Sequence, residues 1–144
     1  MTLYVADASV TVKWLIPDAD NETHVEQALQ LLAAGQRQQV ELLQPPHWMS
    51  EVIAVLIRRA PATVSVSVGV LLGLEFVKIA YQARYYQRAI VLSKQFNHHL
   101  FDTLYHAVAL EANATLVTAD LRYFNKAKAL GGIVMLEDFS APQA

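Results

Sequence analysis

Four short apolar runs, each long enough only for a buried strand, recur along the chain with helix-length stretches between them. This alternation restricts the fold more than any other feature. The runs are Leu3-Tyr4-Val5-Ala6, residues 40–43, Thr115-Leu116-Val117-Thr118 and residues 133–136. Their length and their β-branched and aromatic content predict strands. Between them the spacing predicts helices over 8–16, stopped before Pro17, over 21–35 with Asn21 as N-cap, and from Pro45-Pro46 through Trp48 to Arg59. Further helices are predicted over 65–77, 82–96, 100–113 and 121–130. In the second of these Tyr85, Tyr86, Ala89, Ile90 and Leu92 face inward. Strands alternating with helices give an α/β fold with a mainly parallel central sheet, because a parallel neighbour is reached only by a crossover. In such sheets, sites lie beyond the carboxyl ends of the strands.

A length of 144 residues suits one domain, 1–144, that buries a core without staples. The chain has no cysteine, which excludes disulfides, thiolate zinc sites and thiol catalysis. No apolar run approaches the about 20 residues of a membrane helix. The opening Met1-Thr2-Leu3-Tyr4 lacks the basic start of a signal peptide, so a cytoplasmic location is expected. Hydrophobic residues reach 54% and charged residues only 17%, which predicts an apolar patch for self-association or a partner chain. A net charge of -2 provides no basic footprint for nucleic acid. A nucleic-acid function must therefore rest on a local site.

Four acids stand where acids are out of place. Asp7 follows the first strand, Asp120 follows the strand at 115–118, Glu51 interrupts an apolar helix, and Asp102 opens a helix on the side away from Leu104 and Val108. Singly, each has an ordinary explanation: an N-cap for Asp7 or Asp102, a turn for Asp120, a helix edge for Glu51. Together they are better explained by convergence. At about 5 Å and an effective dielectric near 20, each carboxylate pair repels by roughly 3 kcal/mol. Some must then protonate or bind a cation, and all-oxygen ligands suit Mg²⁺ or Mn²⁺. Such ions support phosphodiester hydrolysis.

The segments Val5-Ala6-Asp7-Ala8-Ser9, Pro46-His47-Trp48-Met49-Ser50-Glu51, Phe101-Asp102-Thr103-Leu104-Tyr105-His106 and Thr118-Ala119-Asp120 occur in order over nearly the whole chain. In this they resemble the PIN-domain nucleases, and among them the VapC-type toxins of prokaryotic toxin–antitoxin pairs. The resemblance implies a three-layer α/β/α sandwich, a homodimer and metal-dependent cleavage of RNA. It makes Asp7, Glu51, Asp102 and Asp120 the metal-binding acids and Ser9 and Thr118 supporting hydroxyls. It also implies a VapB-type antitoxin that obstructs the site. Thr103 and His106 depart from the small or apolar residues common in that helix, and 62–80 carries no signature.

Other readings are weaker. A non-catalytic PIN-like module that binds nucleic acid or regulates a partner is the main alternative. A haloacid-dehalogenase-type phosphatase would want an aspartate where Ser9 stands, and a receiver domain would want paired acids after the first strand. His47 precedes Glu51 without an H-E-x-x-H motif, which disfavours a zinc protease. His106 is read as a partly exposed, hydrogen-bonded histidine and His98-His99 as a solvated loop pair. Lys13, Arg58, Arg59, Arg84, Arg88 and Arg122 are read as surface charge as readily as an RNA rim. For most of Trp14, Trp48, Tyr81, Tyr85 and Tyr86, packing is preferred to base stacking.

Overall fold

The computed structural model describes residues 1–16 and 22–142. The N-cap expected at Asn21 lies outside the described residues. In chain order the elements are β1 (Thr2–Ala6), α1 (Ala8–Thr11), α2 (Val25–Gln36), β2 (Val40–Gln44), α3 (Trp48–Arg59), α4 (Val64–Leu72), β3 (Val77–Ile79), α5 (Ala83–Phe96), α6 (Leu100–Ala112), β4 (Thr115–Thr118), α7 (Leu121–Ala127) and β5 (Ile133–Met135). Short 3₁₀ turns extend α1 over Val12–Trp14 and α7 over Lys128–Leu130, so the helices expected over 8–16 and 121–130 are each an α-helix continued by a tighter turn.

The five strands form one sheet in the order β3-β2-β1-β4-β5, with every neighbouring pair parallel. Alternate residues supply its two faces. Val5 and Leu116 join Trp48, Val52, Leu56, Tyr85, Leu92, Tyr105 and Val108 on the side of α3, α5 and α6. Ala6, Leu42 and Val117 join Ala28 and Leu31 of α2, with Leu136 and Phe139, on the other. This is a three-layer α/β/α arrangement. Helix α6 lies deepest, with Thr103 to Ala109 all buried.

The helix expected from Pro45-Pro46 begins only at Trp48. The helix expected over 65–77 ends at Leu72, and Val77–Ile79 is instead a fifth, edge strand. Val77 pairs with Leu42, yet a three-residue strand with one half-buried position has too little alternation to announce itself. On α5 the buried residues are Tyr85, Ala89 and Leu92, whereas Ile90 is exposed, because that helix contacts the core along a narrower stripe than expected.

The strand order carries the functional consequence. The chain builds outward from β1 through β2 to β3, then returns to the opposite side of β1 to add β4 and β5. The carboxyl ends of β1 and β4 therefore flank the point where the winding reverses, where a crevice forms. No helix among the described residues is long and apolar enough to cross a membrane.

Candidate active site

Asp7 is the first residue past β1 and the N-cap of α1. Its backbone is fixed from behind. The buried Gln44 side chain accepts a hydrogen bond from the Ala6 amide at 2.8 Å and donates to the Ala6 carbonyl at 2.7 Å. One Asp7 oxygen accepts hydrogen bonds from the Ser9 amide at 3.0 Å and from the Ser9 hydroxyl. The other accepts from the Thr118 hydroxyl, which spans from β4 to β1. Thr118 Oγ1 also accepts from the Asp120 amide at 3.0 Å, and Ser9 Oγ accepts from the Ala119 amide at 3.0 Å. The two hydroxyls thus tie the Asp7 loop to the Asp120 loop. Asp120 itself caps α7, accepting from the Tyr123 amide at 3.1 Å.

Glu51 and Asp102 reach the crevice from helices. Tyr105 donates its hydroxyl to Glu51 Oε1 at 2.7 Å, joining α6 to α3. His47 Nε2 lies 2.9 Å from the Phe101 carbonyl and 3.3 Å from Glu51 Oε1, so one imidazole edge spans the same two helices. Asp102 Oδ2 accepts from His98 Nε2 at 3.0 Å, and His98 Nδ1 is 3.1 Å from Lys126 Nζ.

The electrostatics indicate four carboxylates in one neighbourhood. Part of Asp7 still reaches solvent, but protein surrounds it deeply. That burial pushes its pKa up to about 6 against the hydrogen bonds of Ser9 and Thr118, and the charge of Asp102 adds to the rise. Asp102 is raised as well, first by burial, then by the charges of Glu51 and Asp120, with His98 opposing. Burial pulls Glu51 up, but hydrogen bonds from His47 and Tyr105 outweigh it and leave it below the ordinary value. The Tyr105 hydroxyl is driven upward by burial and by Glu51, so it stays a proton donor.

These residues fit a divalent cation. The donors are hard oxygens, and two of the acids, Asp7 and Asp102, have raised pKa values that a nearby positive charge would lower. One ligand atom each from Asp102, Asp120 and His98 lies within 4.8 Å of the others. The clefts lined by Met1, Glu41 and Phe76, and by Leu29, Ala33 and Pro142, lie elsewhere.

The PIN domain family matches residues 4–130. The chain belongs to the PIN-domain family. Solved structures agree on the fold of this PIN domain. VapC20 of Mycobacterium tuberculosis, a sarcin-ricin loop cleaving toxin, is similar with a TM-score of 0.64 at 14% identity, over 88% of this chain and 94% of that one. A toxin–antitoxin complex from Klebsiella pneumoniae gives 0.64 at 14% identity, over 94% and 98%. VapBC2 from Rickettsia felis, bound to a DNA fragment from their promoter, gives 0.60 at 18% identity, over 93% and 97%. No curated protein matches the sequence.

Within this PIN domain, the structure brings together Asp7, Glu51, Asp102 and Asp120 as well as Ser9 and Thr118. Asp7 is the N-cap that its ordinary reading expects, whereas Asp120, expected in a turn, caps α7 instead. His98 is not solvated: its side chain is 7% exposed and bonded to Asp102. His106 is fully buried, not partly exposed, because it lies on the inner face of α6, between the Tyr123 hydroxyl at 2.8 Å and the Gly131 carbonyl at 2.9 Å. Burial lowers its pKa, which keeps it neutral. Lys13 is buried against Glu22 and the Thr23 carbonyl, Arg59 pairs with Glu22, and Arg88 pairs with Glu111, which withdraws three of the proposed rim cations. Trp48 and Tyr85 are core, while Tyr81 is exposed. Lys126 carries no mark in the sequence, and for His98, expected in a solvated loop pair, the available signal is its place four residues before Asp102.

Proposed function

We propose that this PIN domain is a single-domain, Mg²⁺- or Mn²⁺-dependent endoribonuclease and the toxin of a VapBC-type pair. In this reading it acts in the cytoplasm, as a homodimer, and is restrained by a VapB-type antitoxin. The observation that carries the reading is the gathering of four carboxylates from four separate segments at the switch point of the sheet, with Asp7 pushed up to about 6. Structural likeness to toxin–antitoxin complexes supports the partner.

Asp7, Glu51, Asp102 and Asp120 would hold the ion, which supplies charge neutralisation for the phosphate and activation of water when bound. The residues of the chain provide the rest. Ser9 and Thr118 donate to both oxygens of Asp7 and fix the direction of its free lone pairs. Tyr105 donates to Glu51 and holds it ionised. Gln44 pins the Ala6 peptide, so Asp7 keeps its place when the phosphate arrives.

The test is cleavage of structured and single-stranded RNA in Mg²⁺, Mn²⁺ or EDTA, beside an Asp7→Asn variant. Cleavage that needs the ion and falls to background in the variant is the expected outcome. Cleavage that survives both EDTA and the substitution would belong to a contaminant. No cleavage, with metal-independent binding of nucleic acid, would instead make this a non-catalytic module.

A further inference from the structure

Lys126 sits in the last turn of α7, and its ammonium lies 3.1 Å from His98 Nδ1. An ammonium only donates hydrogen bonds, so Nδ1 is the accepting nitrogen and a neutral ring carries its proton on Nε2. That N–H points at Asp102 Oδ2, 3.0 Å away, and donates to it. The ring also packs edge-on against Tyr123, with centroids 4.9 Å apart, which fixes its direction. Yet Nε2, the nitrogen that faces Asp102, is the His98 atom suited to join Asp102 and Asp120 around a cation, and one ligand atom from each of these three residues lies within 4.8 Å of the others. The two roles exclude each other, because a nitrogen that bears a proton has no lone pair for a metal. An imidazole ligand would tilt the site toward Zn²⁺, Ni²⁺ or Fe²⁺, whereas oxygens alone suit Mg²⁺ and Mn²⁺.

We propose that Lys126 and His98 are a positioning pair for Asp102: Lys126 holds His98 as an Nε2–H donor, which orients the carboxylate and withholds the imidazole from the ion. This rests on the reading that the carboxylates hold a divalent cation, and it adds what keeps the ligand set all-oxygen. Neither residue touches the reacting atoms. Their effect passes through Asp102.

The experiment uses metal alone, with no RNA, on the wild type and on K126M, H98A and H98Q. Melting curves first establish that each variant folds. Mg²⁺ affinity is read by calorimetry. Nitrogen bound directly to Mn²⁺ is read by pulsed electron spin resonance. H98A is expected to weaken Mg²⁺ binding about tenfold, in the range typical of groups that orient a ligand. H98Q should restore most of it, because the amide can donate to Asp102 and accept from Lys126. Mn²⁺ should show no bound nitrogen in the wild type and one in K126M, where Nδ1 is free to take the proton.

Bound nitrogen in the wild type, its absence from K126M, or equal Mg²⁺ affinity in the wild type and H98A would each overturn the pair. Nitrogen-15 spectra of the metal-free wild type provide a readout independent of any ion. An Nε2–H tautomer of His98 is expected, and an Nδ1–H tautomer overturns the proposal. Should no divalent ion bind the wild type, the metal reading falls on its own, and the tautomer alone decides whether Lys126 directs His98.

Discussion

At the scale of single residues, Asp7 answers two opposed demands. As an N-cap it stabilises α1, and as a buried acid beside Asp102 it opposes its own ionisation. Its pKa rises from 3.8 to about 6, so the folded state binds the proton more tightly than the unfolded chain does. The stabilisation this provides is complete below the unfolded value and is lost as pH rises through about 6. Above that, an ionised Asp7 costs about 3 kcal/mol relative to its protonated form. Asp7→Asn removes the charge and keeps an N-capping side chain. The metal-free variant should therefore be more stable than the wild type above about pH 6, by up to about 3 kcal/mol, with the gain vanishing near pH 4. Urea unfolding in EDTA at both pH values measures this. A difference that does not change with pH would mean that burial is not what raises Asp7.

At the scale of elements, legibility followed length and periodicity. Strands β1, β2, β4 and β5 are readable as short apolar runs, and helices α3, α5 and α6 because apolar positions repeat within each over enough residues to fix a period. The edge strand β3 is not, since its identity depends on pairing with β2, a contact no local window contains. The same distinction divides the site. The acids at strand ends and on apolar helices stand out locally, but His98 gains its Lys126 contact only when the α5–α6 loop meets α7, and His106 gains its partners only when α6 meets Tyr123 and the turn at Gly131. The junction of α2 with β3 makes a measurable case. A Cβ at Gly35 would lie 2.4 Å from the Phe76 ring, just before the edge strand. Alanine gains about 1 kcal/mol of helix propensity there, whereas overpacking costs about 1–3 kcal/mol. With so short a contact the clash should win. Gly35→Ala is expected to lower stability by about 1 kcal/mol, and adding Phe76→Leu should recover it. Thermal melts of the two single variants and the double test the coupling, and simple additivity would show that the ring moves aside freely.

At the scale of the whole molecule, the winding of the sheet concentrates charge that the sequence disperses. Positions 7, 51, 102 and 120 are far apart along a chain whose net charge is only -2, yet they meet where β1 and β4 part. The fold itself therefore favours protons or cations at that end, and the two compete for the same oxygens. Asp7, at about 6, holds a proton at mildly acidic pH and must release it for an ion to bind, and Asp102 is raised in the same direction. A ligand at a hundred times its dissociation constant adds about 2.7 kcal/mol to stability. In a domain of this size that corresponds to roughly 5–10 °C in Tm. We expect Mg²⁺ to raise the Tm by about that amount near pH 8 and by little near pH 5. NaCl matched in ionic strength should not substitute, because screening acts on all surface charge and not on one cluster. Asp7→Asn should abolish most of the Mg²⁺ shift at the higher pH. A shift equal at both pH values, or unchanged in the variant, would place the ion away from the switch point and leave the acidic cluster without its cation.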